Sequence, residues 1–145
     1  MLKLMVPVDG SENSSKAVQF LIESLSLYKE APEIHLLNVQ YAIASGNVKH
    51  FVAHEEIERY YHDEGIAALQ PARKLLDQAG VAYTFNTAVG DPAETIARYV
   101  REQGCRQIVM GTRGLGAVSG MLMGSVATKV IHLSDVPVLL VKGGS

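Results

Sequence analysis

One stretch of the chain concentrates residue types suited to holding an anion: Met110-Gly111-Thr112-Arg113-Gly114-Leu115-Gly116-Ala117-Val118-Ser119-Gly120-Met121-Leu122-Met123-Gly124-Ser125. Five of the thirteen glycines fall within it. Glycine permits positive φ and close backbone approach, so such a loop can turn several N–H groups toward one ligand. Ser125 adds a hydroxyl where a helix is expected to begin, and the helix dipole favours negative charge there by about 0.3–1 kcal/mol, up to about 2 when partly buried. Arg113 is the only cation of the stretch. A phosphate suits this set, and so does a plain turn from strand to helix; glycine content alone leaves the two readings level. Neither common phosphate motif is present. No Gly-Lys-Ser/Thr occurs here, and Ser119 stands where the third glycine of a dinucleotide fingerprint would follow Gly114 and Gly116.

Other reactive groups are sparser. Asp9 closes the apolar opening of the chain; its carboxylate can accept hydrogen bonds from sugar hydroxyls, hold a metal, or cap a turn or helix. His50 and His54 have helical i, i+4 spacing but no defined third ligand, so exposed histidines are the expected reading. Met110, Met121 and Met123 read as packing residues, and Cys105, before an apolar run, as a packed thiol. Lys129 is expected to be helix surface charge, although it could reach a ligand from one turn inside the last helix. A phosphotransferase needs a positioned base, a metal ligand and usually a lysine on the phosphates. The glycine stretch supplies none of these, so dedicated catalysis is not expected.

Five apolar runs can position these groups as strands: Leu2 to Val8, Ile34 to Val39, Val81 to Val89, Ile108 to Met110 and Val138 to Val141. The stretches between them have helical spacing, and this alternation defines an α/β domain with a mainly parallel sheet. Ala17, Leu21, Leu25 and Tyr28 make one apolar stripe; Ile57, Tyr61, Ala68, Ala72 and Leu76 make another. Pro71 predicts a kink or break near Gln70, because proline costs a helix interior about 3 kcal/mol. Asp91, Pro92 and Glu94 form a helix start, and Gly104 a stop. A last helix runs from Ser125 through Val126, Val130 and Ile131 and ends before Pro137. Val81 to Val89 alternates as an edge strand does. Pro7 marks where the first strand leaves the sheet, and residues 41–53 form the one long irregular connection.

Composition narrows the function classes. The chain has 145 residues, 48% hydrophobic and 19% charged, which suits a single compact domain spanning 1–145. A formal charge of −2 gives no basic field for a nucleic-acid backbone. A single cysteine excludes an internal disulfide framework and suits the cytoplasm. The apolar start, Met1 to Val8, ends at Asp9 with no small-residue cleavage pattern, and nowhere do 18 apolar residues run together, so neither export nor membrane insertion is expected.

The spacing Gly111-x2-Gly114-x9-Gly124-Ser125 occurs with Val6-Pro7-Val8-Asp9-Gly10-Ser11, Leu36-Leu37-Asn38-Val39, Gly90-Asp91-Pro92-Ala93-Glu94-Thr95-Ile96 and Pro137-Val138-Leu139-Leu140-Val141. Together these segments resemble the ATP-binding branch of the universal stress protein family, over the whole chain. The resemblance implies an open, twisted, five-stranded parallel sheet in the order 3-2-1-4-5 with helices on both faces. Open α/β sheets bind ligands where the strand order reverses, which that order places between strands one and four. A flavodoxin-like order, 2-1-3-4-5, would leave the glycine stretch away from the crevice.

The resemblance also implies roles. Asp9 would contact a ribose and the main chain of Val39 an adenine. Gly111 would lie on the ribose side, and Gly114, Gly124, Ser125 and Val126 would cradle phosphates, with Arg113 nearby. Pro7, Val8 and Met110 complete the expected site. The implied ligand is ATP, with Mg2+ accompanying it and AMP or ADP as competitors. The implied role is stress response or regulation, with slow ATP hydrolysis compatible. A homodimer through Val138 to Val141 is expected, and an unidentified protein partner fits the same picture. The alternative is an interaction protein of the same fold without functional nucleotide binding.

Overall fold

A computed structural model describes residues 1–42, 54–114 and 123–143. The expectations for residues 43–53, His50 among them, and for 115–122, with Gly116, Ser119, Gly120 and Met121, lie outside those residues. Among the described residues the order is β1 (Lys3–Pro7), α1 (Glu12–Ser24), β2 (Glu33–Gln40), α2 (His54–Gln78), β3 (Thr84–Val89), α3 (Pro92–Gln103), β4 (Gln107–Gly111), α4 (Ser125–Leu133) and β5 (Val138–Val141). A short 3-10 turn, Leu25–Leu27, follows α1.

All strand pairings are parallel, and the sheet order is β3-β2-β1-β4-β5. This is the order that the resemblance implies, and it excludes the flavodoxin-like alternative. β1 and β4 are mostly apolar, and β2 is buried from Ile34 to Asn38, because both faces are covered. Leu4, Val6, Ile34, Leu36 and Val109 pack with Val18 and Leu21 of α1 and Leu69, Ala72 and Leu76 of α2. Met5, Leu37, Ile108 and Met110 pack on the other face with Ile96 and Val100 of α3 and Ala127 and Val130 of α4. The layers are therefore α1 and α2, then the sheet, then α3 and α4. Cys105 lies in the second core, 3% exposed, as a packed thiol should be.

Helix starts follow the local chemistry. Ser11 caps α1 by accepting a hydrogen bond from the Ser14 N–H, and Asp91 caps α3 by accepting one from the Glu94 N–H with Pro92 at the first position. Gly104 ends α3 in the left-handed region at φ 70°.

Three expectations change. Helix α2 runs through Pro71 without a break. Leu69, Ala72 and Leu76 on either side of it are fully or almost fully buried, so packing against the sheet outweighs the lost hydrogen bond. The buried stripe of α2 is Gly65, Leu69, Ala72 and Leu76, and Ala68 lies beside Gly10 instead. The run from Val81 enters the sheet only at Thr84; Val81 and Tyr83 pack on the core ahead of it. β3 is an edge strand, as its alternation predicts.

Pro7 has the positional meaning expected of it. β1 ends there. Residue directions alternate along a strand: the Lys3 carbonyl accepts from Arg106 before β4, whereas the Val8 N–H donates to Leu37 of β2. The missing N–H of Pro7 therefore falls on the β4 side. The β1–β4 register holds at Leu4–Gln107 and Met5–Ile108, and beyond it the two strands part toward their carboxyl ends.

Candidate functional site

A cavity of about 300 Å³ opens where β1 and β4 part. Pro7, Val8 and Asp9 line it from the end of β1, and Val39 from β2. Met110, Gly111, Arg113 and Gly114 line it from β4 and the start of the glycine loop. Gly124, Ser125 and Val126 line it from the loop's end and the start of α4. Every residue that the sequence pointed to as a ligand contact thus borders one cavity, at the place where the strand order reverses.

The local geometry explains these positions. The two described ends of the glycine loop are tied together by a 2.6 Å hydrogen bond from the Gly124 N–H to the Thr112 carbonyl, while the Thr112 N–H donates to Val141 of β5. Gly111 is glycine for space: a Cβ there would lie 2.9 Å from the Asn13 carbonyl oxygen, in the first turn of α1. A Cβ on Gly114 would overlap Asp9 Oδ2. Gly114 therefore lies directly against the Asp9 carboxylate, and a side chain there would have to displace it.

Asp9 is fixed from its own side of the cavity. Its Oδ1 accepts hydrogen bonds from the Ser11 N–H at 2.9 Å and the Ser14 hydroxyl at 3.2 Å, and its own N–H lies 3.4 Å from Ser14 Oγ. The turn role and the cavity-lining role of Asp9 therefore coexist: one carboxylate oxygen orders the start of α1 while the residue borders the cavity.

The start of α4 differs from the starts of α1 and α3. Its cap is Gly124, φ −78°, with no side-chain hydrogen bond. The first N–H groups of a helix have no partner within it. Here they belong to residues that border the cavity, so the positive end of the α4 dipole faces it, an arrangement suited to an anion.

Sequence reasoning missed part of the wall. Asn38, 2% exposed in a central strand, donates 2.9 Å to the Val8 carbonyl and accepts 2.7 Å from Gln40 Nε2. The signal was available: a polar residue inside Leu36-Leu37-Asn38-Val39 has to find partners when buried. Ser14, Thr112, Pro92, Ile96 and Tyr41 also border the cavity without having been singled out for it.

Lys129 does not turn toward the cavity. Its ammonium lies 3.1 Å from Asp91 Oδ2 and 3.6 Å from Glu94 Oε1, as exposed helix charge. The Glu94 N–H and then the Lys129 hydrogen bond hold the Asp91 carboxyl below its ordinary range, and the bond to Asp91 raises the Lys129 ammonium. No cluster of three or more His, Cys, Asp or Glu suited to a metal occurs among the described residues, and no described helix is long and apolar enough to cross a membrane. Met110 is 6% exposed within the core, and Met123 packs against it.

The fold and cavity define a class: an open α/β domain whose ligand crevice lies at a topological switch point. Residues 1–142 match the universal stress protein family, and the chain belongs to that family. Universal stress protein YxiE of Bacillus subtilis is 30% identical, over 97% of this chain and 98% of that protein. The solved structure of MJ0577, a universal stress protein of Methanocaldococcus jannaschii, superposes with a TM-score of 0.84 at 28% identity, covering 99% of this chain and 97% of that one. A family member from Arabidopsis thaliana, solved with AMP bound, superposes with a TM-score of 0.70 at 21% identity, covering 100% and 94% of the two chains. Solved universal stress proteins in complex with cAMP and dAMP are each 22% identical. Likeness of that order establishes the fold.

Proposed function

We propose that this protein binds an adenine nucleotide, ATP in particular, in the cavity between β1 and β4. The observation that carries this reading is the convergence on one cavity of the residues to which the glycine spacing and the family resemblance pointed, Asp9, Val39, Gly111, Gly114, Gly124 and Ser125 among them. The uncapped start of α4 and the glycine backbone suit the phosphates. Asp9 suits the ribose hydroxyls, and the main chain of Val39 the base, with Pro7, Val8 and Met110 packing around it. Val126 extends the phosphate cradle and Arg113 lies beside it. The complexes of related folds with AMP, cAMP and dAMP support the adenine class.

Asp9 is the acidic residue on the cavity wall and would be the protein's contribution to any Mg2+ carried in with the triphosphate. Rapid hydrolysis needs a positioned base and a phosphate-bound lysine; in this reading the nucleotide acts as a bound signal and any hydrolysis is slow. The reading places the protein in cytoplasmic stress response or regulation. It also pairs two copies through β5, whose residues Val138 to Val141 are all only partly buried at the sheet edge.

The test is a thermal-shift panel with ATP, ADP, AMP and FMN. A ligand at about one hundred times its dissociation constant stabilises by roughly 2.7 kcal/mol, several degrees in a domain of this size. ATP is expected to give the largest shift. No shift with any adenine nucleotide overturns the reading in favour of an interaction protein, and a shift with FMN alone overturns the choice of base. Light scattering that shows a monomer at micromolar concentration overturns the dimer.

A further inference from the structure

Among the described residues, the cavity wall includes one aromatic side chain, Tyr41. It follows β2 directly and is 64% exposed. Several of the polar groups beside it are already engaged. Asn38 Nδ2 donates to the Val8 carbonyl, Gln40 Nε2 donates to Asn38 Oδ1, and the Gln40 carbonyl accepts from the Gly90 N–H at 2.9 Å. These bonds fasten the end of β2 to β1 and to the start of α3. The Tyr41 ring has no such bond or ring contact within the described structure and lies at the rim of the cavity.

The topology says which part of a ligand would meet that ring. The glycines follow β4, whereas Tyr41 follows β2, two strands away with β1 between them. Strands lie roughly 4.7–4.9 Å apart, so the two ends of the site are about 10 Å apart. A ligand that sets its phosphates on the glycines extends over Asp9 toward β2 and delivers its far end to Val39 and Tyr41. Leu37, Val39 and Ile96 supply apolar wall there beside Asn38 and Gln40, which suits a flat heteroaromatic ring with polar edges.

We propose that the Tyr41 ring is a stacking platform for the nucleobase and sets a preference for purines. This rests on the nucleotide reading above. The face of the ring supplies the attraction, so the hydroxyl is dispensable. Base–aromatic stacking removed by alanine weakens binding by roughly 5- to 100-fold, and a larger bicyclic base gains more from it than a pyrimidine does.

Isothermal titration of ATP and UTP against wild type, Tyr41→Phe and Tyr41→Ala tests this. Wild type is expected to prefer ATP. Tyr41→Phe should bind ATP within about twofold of wild type, and Tyr41→Ala roughly 5- to 100-fold more weakly, with a smaller ATP-to-UTP ratio. The ring is exposed, so the three apo proteins should melt together. Wild type and Tyr41→Ala binding ATP equally, or showing the same ATP-to-UTP ratio, overturns the stacking role and leaves the nucleotide reading intact. Failure of wild type to bind any adenine nucleotide overturns both.

Discussion

Gly111 and Gly124 stand at the two ends of the glycine stretch, yet alanine is expected to act on them very differently. At Gly111 a Cβ would lie 2.9 Å from the carbonyl oxygen and 3.1 Å from the carbonyl carbon of Asn13. That carbonyl belongs to the first turn of α1 and cannot swing aside, so strand and helix must separate by about half an ångström. Overpacking of this kind costs about 1–3 kcal/mol, which lowers the melting temperature of a domain this size by roughly 3–10 °C. At Gly124 the nearest atoms to a Cβ are Arg113 Cα at 3.5 Å and the Thr112 oxygen at 3.6 Å, ordinary contacts. Its φ of −78° is open to alanine, and the gain of about 0.4–1 kcal/mol through the unfolded chain is offset by glycine's advantage over alanine at a helix cap, so Gly124→Ala should melt close to wild type. Calorimetric melts of the two ligand-free variants decide the matter. Gly111→Ala melting at or above wild type, or Gly124→Ala falling by several degrees, would refute the reasoning from space. Gly124→Val, which should also fold, is expected to lose the ATP-induced shift; if it binds ATP as wild type does, the loop is only a turn.

Asp91→Asn keeps a capping side chain but removes the carboxylate bound by the Glu94 N–H and Lys129. Because folding lowers the Asp91 pKa below 3.8, its contribution is present above that value and is lost as pH falls through the folded pKa; the gap in urea midpoint between wild type and Asp91→Asn should hold near neutral pH and close in acid. Burial raises the Cys105 thiol above its ordinary pKa, so Ellman's reagent at pH 8 should react with it slowly in the folded protein and fully in urea. Pro71→Ala restores a helix N–H at a half-buried site and should raise stability by about 1–3 kcal/mol in urea melts; a loss of stability would show that the ring's packing matters more than the missing bond.

The sheet was largely readable from the sequence because a parallel sheet covered on both faces needs apolar runs such as Leu4 to Val6 and Ile108 to Met110, and a helix between strands announces itself by caps such as Asp91 and Gly104. The strand order was not contained in those runs. It entered through the resemblance and through the position of the glycine loop, which makes a crevice only if β1 and β4 are neighbours. The continuity of α2 through Pro71 was hidden because local propensity argued against it, while the burial that overrides it lies on Leu69, Ala72 and Leu76. The site divides in the same way. Glycines and Asp9 announce themselves by type and spacing, whereas Tyr41 and Ser14 reach the cavity only because the chain folds there. Asn38 lay between: its polarity was visible, but its partner, the Val8 carbonyl, is thirty residues away.

A nucleotide that occupies the crevice between β1 and β4 lies against backbone amides of both walls. The most direct measurement is a titration of the 15N-labelled protein with ATP, followed through its backbone amide signals. Saturable shifts concentrated at Gly111, Gly114, Gly124, Ser125 and Val39 are expected. Signals that stay still at millimolar ATP, or that move only at sites remote from this crevice, would contradict it.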